Sequence, residues 1–198
     1  MSEFEQSTAD GPAPRPSYRL KKTVALVGMM GAGKTAVGRS VAQRLGVPFL
    51  DSDAEIERAA NLSVPEIFAR DGETFFRKRE SEVIARLLDA HCGILSTGGG
   101  AFLAEVNRRN IGERGVSVWL DADLDLLWQR VRHKDTRPLL RTADPRGTLA
   151  ALYEARVPLY RKADLAVTCK QNLSIEAMAQ RVIDTLLTRP DVLEKINA

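Results

Sequence analysis

The stretch Gly28-Met29-Met30-Gly31-Ala32-Gly33-Lys34-Thr35 fits G-x-x-x-x-G-K-[ST] at each fixed position. No other feature narrows the possible folds as far, because this loop works only between a buried strand and the first turn of a helix. The glycines let the backbone curl so that its N–H groups converge on a polyphosphate. The helix that starts there points its positive end at the same anion. Lys34 is a mobile cation for β- and γ-phosphate oxygens, and the Thr35 hydroxyl is placed to ligate Mg²⁺. Both flanks are present. Residues 24–27 (VALV) are continuously apolar, as in a strand buried on both faces, and Val37, Val41 and Leu45 recur every four residues until Gly46 and Pro48. The order of glycines at 28, 31 and 33 does not match G-x-G-x-x-G, which sets aside dinucleotide-binding and protein-kinase loops.

The alternation continues. Strands are expected at 48–50, 93–97, 116–120 and 165–168, besides the one before the loop. Ser52 with Glu55 and Ser63 with Glu66 read as capping boxes, each opening a short helix, and a longer helix follows Gly72. Further helices are expected at 123–132, 148–162 and 174–187. Strands alternating with helices predict an α/β fold: a three-layer α/β/α P-loop architecture with a five-stranded parallel sheet. Such sheets bind ligands beyond the C-terminal ends of their strands. The 198 residues suit one domain, expected over 21–190, between a disordered N-terminal tail at 1–20 and a C-terminal tail at 191–198. Lys and Arg number 29 against 26 Asp and Glu. That balance gives no reason to expect a nucleic-acid or membrane-surface partner. No apolar run approaches a membrane span, and residues 1–17 lack the apolar core of a secretory signal. Cys92 and Cys169 stand in no metal or redox spacing, read as small buried residues, and fit a reducing cytoplasm. Met29 and Met30 read as filling the outer surface of the loop.

The loop fixes a nucleotide but not a reaction. Asp51 and Asp53 follow the second strand. Two carboxylates at i and i+2 on a strand face one side, one to serve Mg²⁺ and one to accept a hydrogen from a substrate hydroxyl. Asp53 equally suits the first turn of a helix, where an acid contributes ~0.3–1 kcal/mol with no further role. Arg77 borders an apolar helix face, and its bland alternative is an i,i+3 pair with Glu80 worth a few tenths of a kcal/mol. Gly98, Gly99 and Gly100 at a strand end are entropically costly unless a ligand or another backbone comes close; a plain tight turn is the alternative. Arg137 lies in a polar loop able to swing over a phosphoryl group, and Arg156 lies on the helix after it. Either could be simply solvated; both, with Arg77, suit a carboxylate or phosphate gripped by two hydrogen bonds.

Taken together, GMMGAGKT (28–35), LDSD (50–53), FFRKRE (75–80), STGGGA (96–101), RPLL (137–140) and ARVPLY (155–160) resemble the shikimate kinase family, within the nucleoside-monophosphate-kinase-like P-loop fold. The resemblance implies Mg²⁺- and ATP-dependent phosphorylation of the shikimate 3-hydroxyl by a cytoplasmic monomer, on the route to chorismate and aromatic amino acids. It implies that Gly31, Ala32, Gly33, Lys34, Thr35 and Ala36 wrap the ATP phosphates, with Thr35 and Asp51 serving the metal. Asp53 would hold substrate hydroxyls and act as base. Arg77 and Arg156 would clamp the carboxylate beside Gly98, Gly99 and Gly100. Arg137 would descend from a mobile lid at about 133–147, and Arg130 and Asn172 would flank adenine. The Asn172 assignment requires one deleted residue after 168. An acceptor-binding region would occupy about 51–80. Two alternatives stand beside this: a related kinase of a small acid such as gluconate, and an ATP-binding module without transferase activity.

Overall fold

A computed structural model describes residues 18–133 and 140–196. In chain order it comprises β1 (Tyr18–Leu20), β2 (Thr23–Val27), α1 (Lys34–Leu45), β3 (Phe49–Asp51), α2 (Ser52–Ala60) and α3 (Val64–Ala90). There follow β4 (Ile94–Ser96), α4 (Glu105–Arg114), β5 (Gly115–Asp121), α5 (Leu124–Val131), α6 (Pro145–Tyr160), β6 (Leu165–Thr168), α7 (Ile175–Leu186) and β7 (Leu193–Lys195). Five of the strands form one parallel sheet in the order β3-β4-β2-β5-β6, flanked by helices. The α/β P-loop architecture expected from the alternation is the one found.

Strand β2 is central, and each of its residues is buried. That is why its sequence is a continuous apolar run rather than an alternating one. The register places Leu26 opposite Ser96, and Ser96 opposite Asp51. The segments leaving β2, β4 and β3 therefore emerge side by side at the same end of the sheet. These are the phosphate loop, the glycine triplet and the acidic pair. A second, smaller core of Ile56, Ile67 and Phe76 binds α2 to α3, apart from the main core. It lies within the expected acceptor-binding region.

Several local expectations are corrected. The N-cap of α2 is Asp51, not Ser52. Its carboxylate accepts the backbone N–H groups of Asp53 and Ala54 at 3.1 and 3.2 Å. Asp53 therefore sits on a helix, and the strand geometry assumed for the two acids does not apply. Ser63 does form a capping box with Glu66. The two helices expected around Gly72 are both present within Val64–Ala90, separated at Gly72, whose φ of 84° and ψ of 167° are not helical. Helix α6 begins at Pro145, since Asp144 caps the Gly147 N–H at 2.9 Å and proline suits a first helical position, so the C-terminal end of the expected lid is helical. Tyr18–Leu20 and Leu193–Lys195, assigned to tails, pair as an antiparallel ribbon. Arg19 and Lys21 reach Glu194 across it. The ordered fold thus extends beyond 21–190 at both ends. Helix α4 follows the glycine triplet and leads into β5. Met29 and Met30 are buried, and Cys92 is exposed while Cys169 is buried. Among the described residues no helix is long and apolar enough to cross a membrane.

Candidate active site

On the donor side, Gly31 and Gly33 have φ of 83° and 95°, which residues with side chains rarely adopt. Gly33 is the N-cap of α1 and supplies no side-chain cap, so the first amides of the helix face the loop. Lys34 is almost fully buried and donates from Nζ to the Gly28 and Met29 carbonyls at 2.8 and 2.9 Å. The loop thus holds an ammonium inside its own curl. The Thr35 hydroxyl donates to Asp51 Oδ2 and meets Ser96 Oγ, each at 3.3 Å. These three are hard oxygen donors, as Mg²⁺ prefers. Among the described residues no cluster of three His, Cys, Asp or Glu side chains could hold an ion alone. The set fits a metal that takes its remaining ligands from phosphate and water. Ser96 enters this set only through the fold, which sets the end of β4 beside the start of α1.

Arg130 donates from Nη1 to the Gly31 and Ala32 carbonyls at 3.1 and 3.2 Å. The segment after β6 runs past the same loop: Cys169 Sγ lies 4.0 Å from the Ala32 carbonyl, and Asn172, further along, is exposed. Arg137 lies outside the described residues.

On the acceptor side, Asp53, Arg77, Glu80, Gly98, Gly99, Gly100 and Arg156 come together. Asp53 Oδ1 and Glu80 Oε1 are both buried without a hydrogen-bond partner. They converge, since a Cβ at Gly98 would lie 2.9 Å from each. Buried carboxylate oxygens without donors are expensive unless a ligand completes them. Burial is the main reason the Asp53 carboxyl is raised from 3.8 to about 6; Asp51 adds to this, and Lys34 and Arg77 oppose it. Asp53 thus lies within electrostatic reach of the donor-side ammonium and of an acceptor-side guanidinium.

Glu80 is fully buried, and its other oxygen accepts from Arg77 Nη1 at 2.8 Å. Burial raises its carboxyl and the Arg77 charge pulls it back. The Arg77 guanidinium also lies over the rings of Phe76 and Phe68, 5.3 and 5.9 Å from their centroids. The i,i+3 pair is therefore buried rather than superficial, and Glu80 joins the candidate site, although sequence reasoning did not single it out. The i,i+3 spacing was visible, but its burial was not.

The glycine triplet borders both arginines. A Cβ at Gly100 would overlap the Arg77 guanidinium, and one at Gly99 would lie 3.9 Å from Arg156 Nη1. Gly100→Ala should therefore push Arg77 aside. The displaced group is the end of a flexible side chain, so the chain still folds, but moving it off the buried Glu80 carboxylate should lower the melting temperature while the KM for the acceptor rises about tenfold or more. Steady-state kinetics beside a thermal melt tests this; an unchanged KM would show that the space at Gly100 is idle.

A sequence model of the shikimate kinase family matches residues 30–187. The shikimate kinase of Ruegeria pomeroyi is 70% identical over 197 residues, covering 98% of this chain and 99% of that one. That of Cereibacter sphaeroides is 68% identical over 176 residues, covering 89% and 88%. Among solved structures, shikimate kinase from Acinetobacter baumannii in complex with shikimate superposes with a TM-score of 0.81 at 40% identity, covering 84% of this chain and 93% of that one.

Proposed function

The chain belongs to the shikimate kinase family, and from that premise we propose how its residues divide the work. The reaction moves the γ-phosphoryl group of ATP to the 3-hydroxyl of shikimate, giving shikimate 3-phosphate and ADP, a step of chorismate and aromatic amino acid biosynthesis. Phosphoryl transfer has a loose transition state with charge on the equatorial oxygens, so positioning and electrostatics carry most of the catalysis.

The amides of residues 31–36 and the Lys34 ammonium hold the polyphosphate. Thr35 and Asp51, supported by Ser96, would hold Mg²⁺, which when bound offsets charge on the β and γ oxygens. Asp53 accepts the hydrogen of the attacking 3-hydroxyl and keeps its oxygen in line. The new O–P bond forms as the bond from phosphorus to the β–γ bridging oxygen breaks, and the hydroxyl proton passes late to Asp53. Arg77 and Arg156 grip the shikimate carboxylate, with Glu80 fixing Arg77 and Gly98, Gly99 and Gly100 leaving room for the ring. Arg137 closes over the phosphates and neutralises the developing charge. Arg130 and Asn172 flank the adenine. Closure of the lid over the cleft keeps water from the phosphorus.

The observation carrying this division is the pair of partnerless carboxylate oxygens at Gly98, set beside two guanidinium groups and within reach of Lys34. It suits an acceptor that brings hydroxyl donors and one carboxylate. ADP release should depend strongly on shikimate, and turnover on shikimate should far exceed that on gluconate or a nucleoside monophosphate. Equal ADP release with and without acceptor would favour a non-transferring ATP-binding module. Cys92 and Cys169 are both free, as suits the cytoplasm.

A further inference from the structure

Tyr160 has no part in the division of labour above, yet it is fully buried at the last turn of α6. Its ring lies against Trp119 of β5, centroids 6.3 Å apart and planes 24° from parallel. Its hydroxyl donates to the Gly99 carbonyl oxygen. One turn earlier on the same helix, Arg156 comes to the same glycine: a Cβ at Gly99 would lie 3.9 Å from its Nη1, and its charge bears on the phenol. A buried tyrosine hydroxyl usually needs a single partner. This one has the Gly99 carbonyl as partner and the Arg156 guanidinium close by, and both border the acceptor pocket.

Arg156 raises the question that Tyr160 answers. It is a long side chain with several free torsions, only 9% exposed. Among the described residues no carboxylate forms an ion pair with it, whereas Arg77 has Glu80 and Glu73. Neutral contacts must therefore help to orient it, and the phenol stands one turn along the same helix, at the same glycine. A guanidinium that is already aimed loses less freedom when it meets a carboxylate.

We propose that the Tyr160 hydroxyl is a positioning group for acceptor recognition: by tying Arg156 to the Gly99 carbonyl it presets the donor fork that meets the acceptor's carboxylate. This rests on the carboxylate-clamp reading of Arg156. Burial pushes the phenol up to about 12, so it stays protonated and donates to Gly99 across the working pH range.

Tyr160→Phe tests it, because the ring stays on Trp119 and only the hydroxyl is lost. Wild type, Tyr160→Phe and Arg156→Ala are compared on shikimate and on its carboxamide, which has the same shape without the charge. For Tyr160→Phe, kcat/KM on shikimate should fall about tenfold, chiefly through KM, with less than a twofold change on the carboxamide. The preference for the acid over the amide then collapses towards that of Arg156→Ala. Any loss of folded enzyme lowers both substrates alike and leaves the ratio untouched, so a purely structural role gives the wild-type ratio. That result, with Arg156→Ala losing the preference, overturns the role of Tyr160 and leaves the clamp standing. A wild-type ratio in Arg156→Ala as well overturns the clamp, and this proposal with it.

Discussion

Asp53→Asn is expected to slow phosphoryl transfer by about 10²–10⁴-fold and, in the same molecule, to make the fold harder to unfold at neutral pH. The two effects have one cause. Burial keeps Oδ1 without a donor and lifts the carboxyl from 3.8 to about 6. Between those values the folded chain binds a proton that the unfolded chain has released. Stability from this group is therefore fully present below about 4, falls as pH rises towards 6, and is absent above it. An amide at the same place carries no charge to desolvate. At pH 7.5 the variant should gain up to ~3 kcal/mol, at about 1.4 kcal/mol per pKa unit, or several degrees in melting temperature. At pH 4 the gain should vanish. Thermal melts at the two pH values, beside single-turnover rates, check it. Near-normal turnover would end the alignment role, and a melting temperature unchanged at both pH values would show that the buried charge is not costly.

Arg77→Ala should do the opposite to stability while also weakening acceptor binding. The guanidinium is the counter-charge within hydrogen-bond distance of Glu80, which is completely buried and already has one oxygen unpaired. Removing it strands that carboxylate, a change that costs roughly 3–5 kcal/mol in buried pairs. The loss of a charge-assisted contact to shikimate adds a further ~1.5–3 kcal/mol to binding. Glu80 is already raised above its ordinary value, with Arg77 restraining the rise. Without Arg77 it rises further, so the stability deficit should be greatest at neutral pH and shrink as acid protonates Glu80. Denaturant melts at pH 5 and pH 7.5 should show this. Adding Glu80→Gln should restore most of the stability but not the shikimate affinity. If the double variant regained both, Arg77 would act only as a brace; if it regained neither, the buried carboxylate would not be the source of the instability.

What could be read without coordinates follows from the range of each interaction. The phosphate loop was legible because its chemistry is local: glycines with positive φ, a helix start and a lysine all lie within eight positions. The central strand was legible because burial on both faces leaves a continuous apolar run, and the Ser63 cap because its partner is three residues away. Asp51 was harder, since Asp51, Ser52 and Asp53 can each cap a helix, and the choice depends on where β3 stops pairing with β4. The ribbon of β1 and β7 was illegible because its strands lie at opposite ends of the chain, and nothing in YRL or LEK alone distinguishes them from tails.

By itself, then, the order of residues determined the fold class, the nucleotide loop and, through a set of short motifs, the family. Those depend on periodicity and on contacts within a few positions. Only the tertiary structure decided that Glu80 is a buried partner rather than a surface one, that the oxygens of Asp53 and Glu80 meet at Gly98, and that Tyr160 and Arg156 both come to Gly99. The reason is that burial belongs to a place in three dimensions. A carboxylate or phenol carries the same letter whether water or a protein core surrounds it, and the surroundings decide what it is worth.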